Sequence, residues 1–276
     1  MQLFSSWTGS DFLIFYSALL LAGCMAAWWI PSQMRDTGRR GEALDAESVA
    51  LLAGGRDRFA DAVLADLFVS GALEPSGKDR VAVVQRDIAS GAAGKAVLVA
   101  GGPMTRGEAR RIIDLHAERI AARLRRSGLL MWPEQHTRLR WLSITPFAAL
   151  LVLGLYRQRA GSALSEPTGF LVILLGLTAI LAVIRFVQSD PRTAAGIAAV
   201  SDLRTQSSRI ARAPRPEEAS LAVALFGTAV LVGTPWEPVH ALRQKAGDGG
   251  GDGGGGSSDS NGDGGSVGGG CGGCGG

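Results

Sequence analysis

Two cysteines near the end of the sequence, Cys271 and Cys274, form the residue pair best suited to chemistry, a CxxC motif. Thiolates at this spacing chelate a soft metal such as zinc or close a disulfide with a small loop. Two thiolates are half of a tetrahedral zinc site, so tight binding requires a second chain. Their neighbours are glycines, which provide no positive charge to stabilise a thiolate. The pair therefore predicts weak metal chelation or covalent capture of a flexible end, and no other cofactor is expected.

No other residues form a pattern typical of catalysis. Residues 97–103 (VLVAGGP) resemble a nucleotide-binding turn but lack the GxGxxG spacing and the acidic residue beyond it, which favours a simple strand, turn and helix. The sequence has no Walker lysine motif, no HExxH and no GxSxG, and His116, His136 and His240 stand apart from one another. We therefore expect a protein that is not an enzyme.

The third cysteine, Cys24, completes a match to the bacterial lipobox at residues 21–24 (LAGC). In a lipoprotein this cysteine becomes the lipid-bearing first residue after cleavage. The preceding residues contain no lysine or arginine, and the apolar run continues beyond Cys24 as MAAWWI. Both observations favour a chance match inside a membrane helix. A lipoprotein anchored at Cys24 is the alternative.

Three apolar segments predict an α-helical integral membrane protein. The strongest, residues 169–187, has nineteen residues and a single charge, Arg185, close to its end. A helix of that length crosses a hydrocarbon core of about 30 Å while satisfying its own backbone hydrogen bonds. Residues 12–30 form the first predicted transmembrane helix, and residues 141–156 form a shorter second one.

Arginines beside these segments predict the orientation. No lysine or arginine precedes the first segment, whereas three arginines, beginning with Arg35, follow it closely. Positive charge concentrates on the cytoplasmic side, which places the N-terminus outside and residues 36–140, here called the module, in the cytoplasm of a bacterial inner membrane. Arg157 and Arg159 oppose this orientation, but five arginines between residues 188 and 216 outnumber them. The sequence therefore predicts a multi-pass protein.

The region that follows, residues 188–246, is predicted to be helical. Its run 219–236 is apolar but rich in alanine, glycine and threonine. Three placements stay open: a marginal span, a helix on the bilayer surface, or a helix packed against the module. The choice decides which side of the membrane holds the tail, residues 247–276. Eighteen of these thirty residues are glycine, so the tail is predicted to be disordered.

The module, residues 36–140, is predicted to be winged-helix-like, mainly α with a short β hairpin. Helices at 46–53 and 56–70 are separated by two glycines, and short strands follow at 73–74 and 80–85. Helix, turn, helix, strand, turn and strand is the order of a winged-helix unit.

A second part of the module resembles the first, so we predict two related units, 45–87 and 95–132. In both, an amphipathic helix is followed by Ser-Gly and an apolar pair, FVSGALEP at 68–75 and RRSGLLMW at 125–132. A strand is predicted at 129–131. The similarity is short and is also compatible with coincidence.

Nucleic acid is not expected as a partner. The helix at 56–70 carries three aspartates, which would repel phosphate. The helix that begins at a predicted capping box, Thr105 with Glu108, has seven arginines, but anionic head groups beside the second membrane segment account for them equally well. The expected contacts are the lipid bilayer, a protein partner and a second copy of the chain. A membrane-tethered transcription regulator is the alternative function.

The whole pattern resembles a family of uncharacterised bacterial membrane proteins. The resemblance is carried by the block LLAGGRDRFADAVLADLFVSGAL (51–73), the helical hairpin at 141–187 and the end GGGCGGCGG. It implies a membrane protein with such a module, and it implies no activity and no site residues. The predicted function is therefore a non-enzymatic, membrane-anchored interaction or scaffold module.

Overall fold

The computed structural model describes residues 9–39, 44–77, 80–163 and 169–248. Cys271 and Cys274 lie outside the described residues, together with nearly all of the predicted tail. The described chain is mainly helical, as predicted, and contains one small antiparallel sheet. Its helices are α1 (Gly9–Met34), α2 (Ala46–Val69), α3 (Ala92–Ala100), α4 (Arg106–Arg126), α5 (Pro133–Ala163), α6 (Gly169–Val187), α7 (Ala194–Gln206), α8 (Ala219–Phe226) and α9 (Glu237–Asp248). Its strands are β1 (Leu73–Pro75), β2 (Arg80–Val83) and β3 (Pro103–Thr105).

Helices α1, α5 and α6 pack together as an apolar bundle with its own core. At the centre of the bundle Tyr16 of α1 is fully buried. Its hydroxyl lies 3.1 Å from Thr178 Oγ1 of α6 and donates to the carbonyl oxygen of Leu150 of α5 at 3.3 Å. One side chain thus contacts all three helices. Each helix contains a stretch long and apolar enough to cross a membrane, namely Asp11–Ile30, Pro133–Arg159 and Gly169–Val187.

Helix α5 has 31 residues and extends beyond both ends of the segment predicted at 141–156. Arginine is a good helix former, so the arginine-bearing flanks continue the helix instead of ending it. Near the end of α5 the buried guanidinium of Arg157 lies 5.6 Å from the centre of the Phe12 ring, a cation–π contact. Arg157 is therefore part of the bundle's interior.

The module has a second, separate core, which begins with α2. This helix is interrupted at Gly54 and Gly55, where the backbone is not helical and Gly55 has φ of +68°. The sequence analysis predicted two helices separated by these glycines. Strands β1 and β2 then form the expected hairpin, with Leu73 opposite Val83. Strand β3, which lies between α3 and α4 in the chain, pairs antiparallel with β2 and completes the sheet.

Two local predictions in the module are wrong. Residues 97–100 end helix α3 instead of forming a strand, because Val97 and Leu98 are buried on one helical face while Val99 is 81% exposed. Strand β3 follows two glycines with positive φ. In place of a strand at 129–131, the described chain has an isolated bridge between Leu130 and Arg192.

The helix ends that suggested a repeat share one local motif. Gly71 and Gly128 have φ of +73° and +76°, and each follows a serine that caps its helix. The amide after each glycine donates to a carbonyl five residues earlier, from Ala72 to Leu67 and from Leu129 to Leu124. This pattern is a Schellman motif, which explains the similarity of the two segments locally.

Helix α4 begins at the predicted capping box. The amide of Glu108 donates to Thr105 Oγ1 at 3.3 Å, and the amide of Thr105 donates to Glu108 Oε2 at 2.8 Å. The hydrogen bonds that the amide and the hydroxyl of Thr105 donate to the Glu108 carboxylate lower the pKa of that carboxyl. The bonds from the two amides satisfy donors that the first turn of the helix leaves without a partner.

The fourth apolar run, 219–236, packs inside the module. Its helix α8 has 8 residues, and a short 3-10 turn follows at Thr228–Leu231. Eight residues rise about 12 Å, which is less than half of a hydrocarbon core. Val223 and Leu225 are fully buried, and α8 packs mainly against α2. Of the three placements left open by the sequence, the structure has the third. The core of the predicted module includes residues that follow α6 in the chain, so the name module is used below for the unit formed by α2 to α4, β1 to β3 and α7 to α9.

Candidate interaction site

Backbone hydrogen bonds join the apolar bundle to the module at a junction formed by residues 35–38, 128–131 and 189–196. Amides of this region donate across it from Thr193 to Leu129 at 3.1 Å, from Met131 to Pro191 at 2.9 Å and from Ala194 to Asp36 at 2.9 Å. Gly196 lies at a close approach, since a Cβ there would be 2.3 Å from the Leu129 carbonyl oxygen. The junction therefore holds the module in a fixed position on the bundle.

An ion-pair cluster centred on Asp190 lies within the junction. Arg192 donates from Nε to both carboxylate oxygens of Asp190 at 3.0 Å, and Arg35 Nη1 lies 3.6 Å from Asp190 Oδ2. Burial raises the pKa of Asp190, but the hydrogen bonds and positive charge of Arg192 outweigh it and bring the pKa below its usual value. Asp190 is therefore ionised and stabilises the junction at neutral pH.

Two further arginines contact backbone at the same end of α6. Arg140 Nε donates to the carbonyl oxygen of Phe186 at 2.8 Å, and its guanidinium lies 3.3 Å from the centre of that ring. Arg185 Nε donates to the carbonyl oxygen of Ala27 at 3.1 Å. The guanidinium groups thereby tie α6 to α5 and α1.

The module has an acidic cleft, with a volume of about 310 Å³, beside the start of α2. Three carboxylates line the cleft, those of Asp45, Glu47 and Asp66, together with the hydroxyls of Ser90 and Ser220. Burial raises the pKa of Glu47, and repulsion from Asp45 and Asp66 raises it further, against a smaller lowering effect of Arg123. Burial also raises the pKa of Asp66. The cleft therefore favours a positively charged group, which would relieve the repulsion.

Sequence analysis missed this cleft because its walls come from three distant parts of the chain. Asp45 and Asp66 lie at or within α2, Ser90 precedes α3, and Ser220 belongs to α8. The available signal was Asp66, the charged residue within the apolar run 62–69. Such a residue is buried only where a partner or a polar cleft accommodates it.

Three of the seven arginines of α4 form ion pairs within the module. Arg106 lies 2.5 Å from Asp61, whose carboxylate is fully buried in α2. Other ion pairs join Arg110 to Asp57 and Asp114, and Arg125 to Glu118. The other four arginines of α4 are exposed, so this helix keeps a positively charged face, whereas the helix 56–69, the other candidate for nucleic-acid contact, is largely buried.

The three histidines lie apart in the structure. His136 Nε2 is 3.1 Å from Ser189 Oγ at the junction, and His240 Nδ1 is 3.0 Å from Thr228 Oγ1. Within the ranges that the structure describes, no group of three or more histidine, cysteine or acidic residues is arranged to hold a metal ion. Cys24 is half-buried in the bundle, and the predicted metal pair Cys271 and Cys274 lies outside these ranges.

Comparison of the chain with known protein families, with curated proteins and with solved structures gave no match. The function therefore has to be inferred from the residues and geometry of this chain.

Proposed function

We propose that the protein spans a bacterial inner membrane with α1, α5 and α6 and that its module binds a protein partner without catalysis. The observation that carries the membrane assignment is the outer surface of the bundle. Large apolar side chains cover it on all three helices, including Leu21, Val152 and Phe170, which are 68%, 69% and 74% exposed. An apolar surface of this extent is rare on soluble proteins, and in a bilayer it would contact acyl chains instead of water.

The proposed orientation follows from the charges at the two ends of the bundle. Arg35, Arg140 and Arg185 lie at the end next to the module, which favours a cytoplasmic module. Arg157, which opposed this orientation in the sequence, is packed over Phe12 inside the bundle. Three crossings place the N-terminus outside. Since α7 to α9 belong to the module, the tail is proposed to lie in the cytoplasm too.

Chemical labelling tests this topology. Native cysteines are first replaced by serine, and Gln85, exposed on the module, or Ser5, which precedes α1, is changed to cysteine. We expect the protein to stay with membranes in alkaline carbonate. An impermeant maleimide should label Ser5→Cys in intact cells and label Gln85→Cys only after permeabilisation. Labelling of Gln85→Cys in intact cells would overturn the orientation, and extraction by carbonate would overturn the membrane assignment.

The acidic cleft is the proposed docking site for a lysine or arginine of the partner. Three carboxylates line this cavity, and the pKa of two of them is raised. A positive charge bound there would stabilise their ionised forms. A photo-crosslinking residue at Ser90 should capture the partner in cells, and the same residue at Val99, exposed away from the cleft, should not. The double variant Glu47→Gln, Asp66→Asn should remove the adduct at Ser90. An adduct that survives this variant would exclude the cleft.

Two alternatives have their own tests. A membrane-tethered transcription regulator requires the module to bind duplex DNA with sequence preference, and binding that falls steeply with salt. A lipoprotein requires cleavage before Cys24, which would remove Phe12 and Tyr16 from the bundle's core. Mass spectrometry of the native protein distinguishes an intact N-terminal segment from a lipid-modified Cys24.

A further inference from the structure

The end of α6 next to the module carries more positive charge than its carboxylates neutralise. Four arginines lie at this end, namely Arg35, Arg140, Arg185 and Arg192. Among the described residues the carboxylate of Asp190 pairs with Arg35 and Arg192, whereas Arg140 and Arg185 donate to backbone carbonyl oxygens. Such an excess attracts an anion from outside the chain.

Arg185 is the arginine with donors to spare. It uses Nε on Ala27, and within the described part of the chain no carboxylate lies within ion-pair distance of its guanidinium. Arg35, in contrast, uses Nη1 on the Arg192 carbonyl oxygen and on Asp190. Since a guanidinium has five N–H donors, Arg185 keeps donors for an anion from outside the chain.

We infer that Arg185 binds the phosphate of an anionic phospholipid head group. The inference rests on the proposed function, because α6 must lie in a bilayer for a lipid to reach it. Arg185 is the charged residue of α6 and lies two positions before its end at Val187, at the depth of head groups in the proposed topology. Val183 and Ile184, just before it in the helix, are exposed and apolar, which suits acyl chains and offers nothing to free phosphate.

Lipid binding by the full-length protein in an uncharged detergent tests the inference. The probes are phosphatidylglycerol, phosphatidylcholine and inorganic phosphate, with retained lipid measured by native mass spectrometry and stabilisation by thermal unfolding. Wild type should retain phosphatidylglycerol at least about fivefold better than phosphatidylcholine. Arg185→Gln should lower this retention about fivefold, and Arg185→Lys, which keeps the charge, should restore part of it.

Arg212 provides the matched control, because it is an exposed arginine beyond the far end of α7. Arg212→Gln removes the same charge and should leave retention unchanged. Equal retention of both lipids by wild type would overturn the inference without reference to any variant. Stabilisation by inorganic phosphate equal to that by phosphatidylglycerol would also overturn it. A protein that resides in membranes but shows no lipid preference contradicts this inference alone, whereas loss from membranes contradicts the proposed function.

Discussion

The buried carboxylate of Asp61 accepts a hydrogen bond from Arg243 at 2.5 Å, although 182 positions separate the two residues. Asp61 lies in α2, and Arg243 lies in α9, the last described helix. The same carboxylate accepts from Arg106 of α4. One buried charge on α2 therefore joins three helices of the module, α2, α4 and α9.

Replacing Asp61 should destabilise the module strongly. Asp61→Asn leaves two arginines facing a buried site without a counter-charge, which we expect to cost about 3 kcal/mol. Arg243→Gln should cost less, about 1 kcal/mol, because Arg106 still neutralises Asp61 and Arg243 is partly exposed. Urea unfolding of the detergent-solubilised protein measures both. Equal costs for the two variants would contradict the central role of Asp61.

A methyl group at Gly154 should loosen the apolar bundle. A Cβ there would lie 2.7 Å from Leu175 Cδ2 and 3.0 Å from Tyr16 Cε2, so the buried Leu175 side chain or the helices must shift. We expect Gly154→Ala to cost about 1–3 kcal/mol. Gly176→Ala is the control, because it adds the same methyl to the same bundle with nothing within 4 Å. Thermal unfolding in detergent compares them, and equal behaviour would mean that the bundle is packed differently.

A methyl group at Gly196 should destabilise the junction. Its added Cβ would lie 2.3 Å from the Leu129 carbonyl oxygen, which belongs to backbone and cannot rotate away. Gly196→Ala should destabilise by about 2 kcal/mol despite alanine's better helix propensity. Gly107 is also at the start of a helix, but its Cβ would meet only Thr105 Oγ1 at 4.0 Å. Gly107→Ala should therefore stabilise by about 0.5 kcal/mol, and a similar gain at Gly196 would refute the close approach.

Replacing Asp66 and replacing Asp190 should change the free energy of unfolding in opposite directions at pH 8, and each effect should depend on pH. The raised pKa of Asp66 means that its charged form opposes folding, so Asp66→Asn should stabilise the protein at pH 8. This gain should fade as the pH drops through the raised pKa and vanish below about pH 4, where wild-type Asp66 is protonated in both states. Asp190→Asn should instead destabilise at pH 8, because the pKa of Asp190 is lowered.

The deficit of Asp190→Asn should persist down to the ordinary aspartate pKa of about 4 and shrink only below it. Thermal unfolding of both variants and wild type from pH 8 to about pH 3 measures the differences. A gain for Asp66→Asn that is independent of pH would show that the cleft does not destabilise its carboxylates.

The structural features that depend on residues close together in the chain could be predicted from the sequence. The apolar length of 169–187, the break at Gly54 and Gly55 and the capping box of Thr105 are local patterns, and all three appear in the structure. The acidic cleft and the Asp61 cluster could not be predicted, since each depends on contacts between residues far apart in the chain. The placement of α8 also depended on a distant partner, because its composition suits a membrane surface and a protein core equally well.

The position of α8 sets an order of events during synthesis. Helix α2 ends at residue 69, but the helix that covers its apolar face ends at residue 226, and 226 − 69 leaves 157 residues to be translated in between. At about 5–20 residues per second, the ribosome needs roughly 8 to 30 s after completing α2 to synthesise α8, the main packing partner of α2. The hairpin of α5 and α6 emerges from the ribosome during this interval. In the proposed topology, the module therefore completes its core only after α5 and α6 have entered the bilayer. A ribosome that stalls before residue 219 would then leave an anchored chain whose incomplete core is open to the cell's proteases.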